Sequence, residues 1–528
     1  MSKYQLPVTL STSTHTYRKC SLTLALFFAI WNDAIGFAQN AGAHFDPNDT
    51  WAFTCRDSDH NASAILNLRF LNETTGGARG FVRLSPDGTG LVFGDGSAAR
   101  FWGTIFIPDR AKRISDADLE RHSKWLAKMG VNMTRRMFLG VPTTSGSSPE
   151  DVNRDEIDAV WRYVAEQKKQ GIYTSIICSG PLVDYGNADL SKWGIAGYEV
   201  NYTKNPKVDA PWGVGYFNPV LMRSYKARLR ALFGQVNPYT GITLADDPSI
   251  LMIQLVSEDG LLFYTFDKMK PAQLRELGRL YGTWLKTKYG SLDAALRSWA
   301  DGSTPNESEL LNADEPVAGI VGFYKAWQAV DSPPPDSGKG RRVTDQVEFL
   351  CRTERKFNEE MIRYLREDLK CKQLILPGNW RPANPTRMQD AQRWSYMPGQ
   401  IIAENHFLVS GNDTWRTIAG EVFGQPTALK PLELEDAPPY VFKQVDGHAT
   451  FLTSTGWIQP NIHQSEAAFL CSAYGSLAGL AGICWDGFSQ SLEYDQTVVL
   501  KPNPTTKWFM TWNTARPAAV SGFPAAAL

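Results

Sequence analysis

The sequence predicts an α/β fold: a (β/α)8 TIM barrel preceded by an N-terminal β-rich segment. Three observations support it. From Ile114 onward helical and strand-like segments alternate over about 400 residues, room for eight units of roughly 30 residues or more with insertions. The strands read as near-continuous apolar runs, such as "ILMIQLV" (250–256), the pattern of parallel strands buried on both faces. Ahead of this alternation, short β segments are separated by the hairpin signals Asp87-Gly88 and Asp95-Gly96. An open doubly wound sheet is the alternative, but no glycine-rich phosphate-binding turn follows any strand.

In chain order, residues 1–43 read as a signal peptide. Lys3, Arg18 and Lys19 precede the apolar stretch Leu22–Ile30, and small residues follow, with cleavage after Ala38 or Ala43. That stretch is too short to cross a bilayer as an ordinary helix. A secreted or periplasmic protein with no membrane span after cleavage is expected, with an uncleaved anchor left open. Residues 44–110 form the β-rich lead-in, and 111–528 the barrel. "SDADLERHSKWLAKMG" predicts a helix capped by Ser115 and stopped by Gly130. "EIDAVWRYVAEQKKQG" predicts a second, stopped by Gly171, and "PVLMRSYKARLRALFGQV" a third. Strands are expected in "VNMTRRMF", "IYTSIIC", "ILMIQLV", "CKQLILPGNW", "QIIAENHF", "ATFLTSTGW" and "GLAGICWDGF". "DSPPPDSGKGRR" (331–342) reads as a loop within the barrel, its basic end a solvated face.

Composition narrows the function classes. With 54 Lys+Arg against 55 Asp+Glu the net charge is −1, so no basic footprint for nucleic acid is present. The seven His and seven Cys show no metal-ligand spacing, and neither a metal nor another cofactor is implied. Cysteine density excludes a disulfide scaffold in a chain of this size, leaving one or two bridges open. The 17 Trp permit a sugar-binding cleft and equally fit a large core.

The apolar run 250–256 ends on Ser257, Glu258 and Asp259. Acids at the carboxyl end of a barrel strand stand where barrel chemistry is done, although the same residues can simply open a solvated loop. With these strand ends in hand, the chain from about residue 46 onward resembles clan A of the glycoside hydrolases, in particular secreted bacterial β-galactosidase- or agarase-like barrel proteins. "GDGSAARFWGT" is similar to their β-rich lead-in and "MGVNMTRRMF" to their second strand, where Arg135 or Arg136 fills the place of an active-site arginine. "LMIQLVSEDGLLF" is similar to the fourth strand, with "WLKTKYGSLDAALRSW" beside it. "AENHF", "HATFLTSTGWIQPN" and "AGICWDGF" are similar to the sixth, seventh and eighth.

The resemblance implies a glycosidase acting on a β-linked oligo- or polysaccharide, of galactan or agar type or of mannan or glucan type. Glu258 matches the general acid/base. Ser257 stands where relatives carry Asn, which helps bind the sugar 2-hydroxyl. On the seventh strand His448, Thr453 and Trp457 hold register, and Ser454 occupies the place of the nucleophilic Glu. Retaining glycosidases need two carboxyl groups about 5–5.5 Å apart, and inverting ones about 6.5–9.5 Å. Four explanations follow. A relocated carboxylate could substitute: Glu404, Asp486, Glu433, Glu435, Asp436 or Asp446. The protein could be a catalytically silent carbohydrate binder. The Glu could have been replaced deliberately. The seventh-strand register could differ from the one assumed. Trp102, Trp212, Asn218, Trp380, His406, Trp457 and Trp485 are further candidates for contacting sugar, each with core packing or a structural bond as the plain alternative.

Overall fold

A parallel strand inside a barrel presents one face to the barrel interior and the other to the helices, so both must be apolar. Eight strands satisfy this. They are β4 (Phe101–Phe106), β5 (Met133–Met137), β6 (Tyr173–Ile177), β7 (Ile250–Gln254), β8 (Leu374–Leu376), β9 (Ile401–Asn405), β10 (Ala449–Thr455) and β11 (Gly482–Trp485). In this computed structural model residues 67–106, 114–142, 144, 146–178, 190–198, 210–300, 309–330, 333–408, 427–430, 438–457, 463, 465–485 and 526–528 are described. The strands are hydrogen-bonded in the order β8-β7-β6-β5-β4-β11-β10-β9, all parallel. The two edges meet, because Gln400 N–H donates to Ile375 O and Asn405 N–H to Asn379 O, both at 3.0 Å. The (β/α)8 barrel is thereby closed.

The first barrel strand, β4, lies inside the stretch read from sequence as lead-in, so the barrel begins before residue 111. "FWGTIF" follows the last hairpin turn directly, and in the structure it is a barrel strand. Those hairpins form a three-stranded antiparallel sheet: β1 (Arg83–Leu84), β2 (Leu91–Val92) and β3 (Ala98–Ala99). Gly88 and Gly96 turn it with φ of 73° and 89°, which glycine adopts without the Cβ clash of other residues. Phe93 follows β2 and packs its ring on Phe101 and Tyr173 of the barrel, with centroids 6.2 and 5.9 Å apart. Glu73 accepts from the Tyr173 hydroxyl (2.9 Å) and from Arg79 Nε (2.8 Å), tying the lead-in to the same place.

The helices are α1 (Asp116–Lys128), α2 (Arg154–Lys169), α3 (Pro219–Phe233), α4 (Pro271–Tyr289), α5 (Leu292–Trp299), α6 (Ala326–Val330), α7 (Gly338–Arg363), α8 (Pro385–Tyr396) and α9 (Glu466–Leu477). Ser115 caps α1 by accepting from Asp118 N–H at 3.1 Å, as its spacing predicts. Residues 338–342 are not loop: they open α7, whose cap is Ser337, accepting from Gly340 N–H at 2.9 Å. Nor is their basic end solvated. Arg342 is buried and makes a two-pronged pair with Asp314 (2.8 and 2.7 Å). The prolines at 333–335 set the helix's start; they do not prevent it. Among the described residues five cysteines are free and buried, and no helix is long and apolar enough to cross a membrane.

The barrel interior is filled by Phe101, Met133, Tyr173, Met252, Leu374, Ile401 and Phe451 among others. Gly482 makes room for Phe451, since a Cβ there would stand 2.2 Å from its ring. Phe451→Ala should therefore cost about 3–5 kcal/mol by leaving a cavity, and Gly482→Ala about 1–3 kcal/mol by overpacking. Combining Gly482→Ala with Phe451→Leu should recover part of the loss, because the two sites share one space. Denaturant midpoints of the three variants check this.

Candidate active site

β7 delivers its chain to the carboxyl end of the barrel, and the backbone then reverses at Glu258. Its φ of 57° is in the left-handed region, which costs a residue with a Cβ on the order of 1–3 kcal/mol. Two asparagines hold it there. Glu258 N–H donates to Asn379 Oδ1 at 3.1 Å, and Asn405 Nδ2 donates to Glu258 Oε1 at 2.7 Å. Asn379 and Asn405 are joined in turn, Nδ2 to Oδ1, at 2.8 Å. The carboxyl group is left half-buried, reachable from solvent yet fixed in direction.

β10 brings Ser454 to the same end by means of a bulge. Leu452 pairs with Glu404, but the next pair is Ser454 with Asn405, so Thr453 is an extra residue. Paired residues on neighbouring parallel strands face the same side, which places Ser454 on the inner side with Asn405. Thr453 is turned inward too, its Oγ1 2.8 Å from Asn405 Oδ1. Below this layer the fully buried Arg135 spans the barrel, donating to Gln254 Oε1 on β7 and to Thr453 O on β10. Glu258, Asn379, Asn405, Thr453, Gln254 and Arg135 thus form one connected network, with Ser454 beside it in register.

The remaining sequence-predicted residues divide by strand parity. Arg136 faces outward, its guanidinium 6.0 Å from the ring of Tyr163 on α2, so Arg135 is the arginine inside. Glu404 also faces outward and is fully engaged: Arg393 on α8 pairs with Oε2, and Gln389 donates to the same oxygen at 2.9 Å. His406 is buried, with Nδ1 3.9 Å from Glu404 Oε1, and its backbone N–H donates to Ser454 O at 2.9 Å. Trp102 and Trp485 lie on the outer face as an edge-to-face pair, centroids 5.5 Å apart. Trp457 is buried in a bridge with Leu408. Trp212 is buried beneath the Lys268 ammonium, 5.4 Å from its ring. Asn218 caps α3, accepting from Val220 and Leu221 N–H. Ser257 is buried next to Glu258. Trp380 differs from the other tryptophans: it is half-buried beside Asn379 and packs edge-to-face on Phe263, 5.2 Å away. Asp446 precedes β10, at the opposite end of the barrel from Glu258. Asp486, Glu433, Glu435 and Asp436 lie outside the described residues.

Two further acids stand behind the Glu258 loop. Asp259 is fully buried and accepts from Gly213 N–H (3.0 Å), Gly260 N–H (2.9 Å) and the Thr265 hydroxyl (3.1 Å). Glu354 on α7 is fully buried and accepts from Leu261 N–H, Gln392 Nε2 (2.5 Å) and the Ser395 hydroxyl (3.0 Å). Loss of hydration pushes Asp259 up to about 6 and Glu354 up to about 7, the latter raised further by the negative charge of Asp259.

Sequence reading had singled out Glu404 rather than Asn405, and had missed Asn379, Gln254 and Glu354. The alternation in "IIAEN" does put Ala403 and Asn405 on one face and Glu404 on the other, but which face is inward depends on pairing. Chemically, Glu258 is a half-buried carboxyl group at the mouth, able to give or take a proton. Around it are amide and hydroxyl groups suited to neutral hydroxylated ligands.

No protein-family model matches the chain, and no curated protein matches it. Among solved structures it is similar to the endo-1,4-β-mannanase from Rhizomucor miehei, at 10% identity over 85% of this chain and 99% of that one, with a TM-score of 0.46. It is similar also to the catalytic domain of β-amylase from Paenibacillus polymyxa (12%, 81% and 98%, TM-score 0.44). A third is the β-mannanase from the blue mussel Mytilus edulis (11%, 84% and 95%, TM-score 0.43). At TM-scores under 0.5 these likenesses carry no argument about substrate or activity, and the barrel rests on its own strand order.

Removing Arg393 should leave Glu404 buried without its cation. Arg393→Met should destabilise the fold by about 3–5 kcal/mol, and adding Glu404→Gln should recover much of that; thermal unfolding of single and double variants measures it. The acids behind the loop predict a pH dependence. Both are raised above the ordinary value of about 4, so the folded chain keeps protons that the unfolded chain releases between about pH 4 and 7. Their contribution to stability is therefore greatest at low pH and falls as pH rises through that window. The double variant Asp259→Asn, Glu354→Gln should show a flatter decline in denaturant titrations from pH 4.5 to 7.5.

Proposed function

We propose that this chain is a glycoside hydrolase-like protein that binds a β-linked oligo- or polysaccharide at the carboxyl ends of its barrel strands, with Glu258 as the proton-transferring group. The observation that carries this reading is Glu258 itself: half-buried, held in a left-handed turn at the end of the fourth barrel strand, its carboxyl oriented by Asn405. A group that protonates a leaving glycosidic oxygen must be fixed in direction and open to the cleft, and Glu258 is both. Trp380 supplies an apolar face beside it for a sugar ring. The sequence motif at the fourth strand supports the same reading. A polysaccharide substrate also fits export of the chain, because the opening of the sequence reads as a signal peptide.

Ser454 decides what kind of hydrolysis is open to such a site. A neutral serine hydroxyl does not offset oxocarbenium charge as the carboxylate of a retaining glycosidase does. Glu404 cannot replace it while its carboxylate is held by Arg393 on the outer face. In our reading the hydrolysis runs by direct attack of water, or the site binds sugar without cleaving it. The second reading, a catalytically silent carbohydrate-binding protein, is favoured by one observation: Asn405 and Ser454, the pair in register beside Glu258, are both neutral.

The test is a panel of mannan, galactan, agar and glucan oligosaccharides, followed by calorimetry and product analysis. Glu258→Gln should lower any hydrolysis by about 10²–10⁴-fold while leaving binding within a few fold. Ser454→Glu, alone or with Ser257→Asn, should raise hydrolysis above the parent. Azide or formate should speed cleavage of an activated aryl β-glycoside, giving an α-glycosyl product. Binding with no turnover in any variant selects the silent reading, and a panel with no ligand at all removes both.

A further inference from the structure

We propose that Asp259 and Glu354 are positioning residues for Glu258: a buried acid pair that holds the loop 257–262 from behind and so aims the Glu258 carboxyl into the cleft. This rests on the reading of Glu258 as the acting group, but its geometry can be tested without any sugar.

The left-handed reversal at Glu258 leaves the next peptide groups without a strand or helix to bond to. Buried N–H groups must find acceptors. Gly260 N–H finds Asp259 Oδ1 at 2.9 Å, and Leu261 N–H finds Glu354 Oε1. The other Asp259 oxygen reaches across to Gly213 N–H at 3.0 Å, and the Tyr216 hydroxyl donates to Asp259 O at 3.2 Å. The loop is thus bonded to the 213–216 turn on one side and to α7 on the other. On its cleft side it is bonded to Asn379 and to Asn405. Gly260 permits the close approach, since a Cβ there would stand 3.3 Å from Glu354 Oε1.

Neither acid has a cation among the described residues. Glu354 faces the hydroxyls of Tyr216 and Tyr396, the Cys351 thiol on its own helix, Gln392, Ser395 and Asp259. The nearby Arg393 is engaged by Glu404. Two uncompensated acids in a dry interior are expensive, and an amide could accept the same bonds more cheaply. What a carboxylate adds is a stronger, charge-assisted hold on the N–H groups at one short stretch of backbone. That stretch is the one that carries Glu258.

Hydrogen–deuterium exchange of the full chain provides the first test. Glu354→Ala should raise exchange at 257–265 by about tenfold or more, with the strands 101–106 and 449–455 unchanged. Glu354→Gln, which keeps an acceptor, should stay nearer the parent, and Asp259→Asn should affect 210–216 together with 257–265. Unaltered exchange in Glu354→Ala overturns the proposal, as does a rise spread evenly over the barrel. If Glu354→Ala does not fold, Glu354→Gln and Asp259→Asn decide by the same comparison. On whichever glycoside the parent cleaves, the loop variants should lower kcat with KM held. They should also shift the Glu258-dependent limb of the pH–rate profile, by about half a unit or more. A matching loss in KM alone would mark the pair as merely structural. A parent with no turnover removes the hydrolytic reading and leaves the exchange result to stand or fall separately.

Discussion

The mouth of this barrel depends on two hydrogen bonds at Glu258: its backbone N–H donates to Asn379, and its carboxyl accepts from Asn405. A chain leaving a parallel strand ordinarily continues outward into a loop that solvent can satisfy. Here it turns back in a conformation disfavoured for a residue with a Cβ, and two side-chain amides from neighbouring strand ends make that turn the stable one. The same amides bond to each other, so Glu258 is held by a unit that spans β7, β8 and β9. Remove the asparagines and the carboxyl group would still exist, but it would lose the two bonds that hold it from the cleft side.

That unit also explains why a bulge in β10 matters. Were Thr453 paired in ordinary alternation, Ser454 would fall on the helix side. The bulge restores Ser454 to the inner side opposite Asn405 and lets Thr453 join the amides. Among the described residues the result is a rim of neutral donors and acceptors around the Glu258 carboxyl group. In the proposed function, binding and proton transfer are therefore separable, and chemistry beyond them rests on which group stands across from Glu258.

Acidic residues are concentrated around the mouth, yet most do not face it. Glu404 is neutralised by Arg393 behind β9, and Asp259 and Glu354 bond backbone N–H groups behind the β7 loop. Low dielectric makes each of these placements costly unless the acid is bonded, and each is bonded. Among the described residues Glu258 is thus presented to solvent, while Glu404, Asp259 and Glu354 serve as internal acceptors.

By itself the sequence determined the barrel, because apolar runs buried on both faces, separated by capped amphipathic helices, have few other ways to pack. Seven of the eight barrel strands and the cap at Ser115 follow from local chemistry, whereas the cap at Ser337 lay inside a stretch read as loop because three prolines precede it. It determined Glu258 as the acid at a strand end, since an apolar run stopping on a carboxylate is a local pattern. Only the tertiary structure decided which neighbours share its face. Arg135 against Arg136, and Asn405 against Glu404, are adjacent pairs whose members differ by one step of a period-two pattern. A bulge within a strand reverses such an assignment for the residues beyond it, as at Ser454. Asn379 and Glu354 were out of reach for another reason: they are distant in sequence, and their bonds to the Glu258 loop exist only once the barrel has closed.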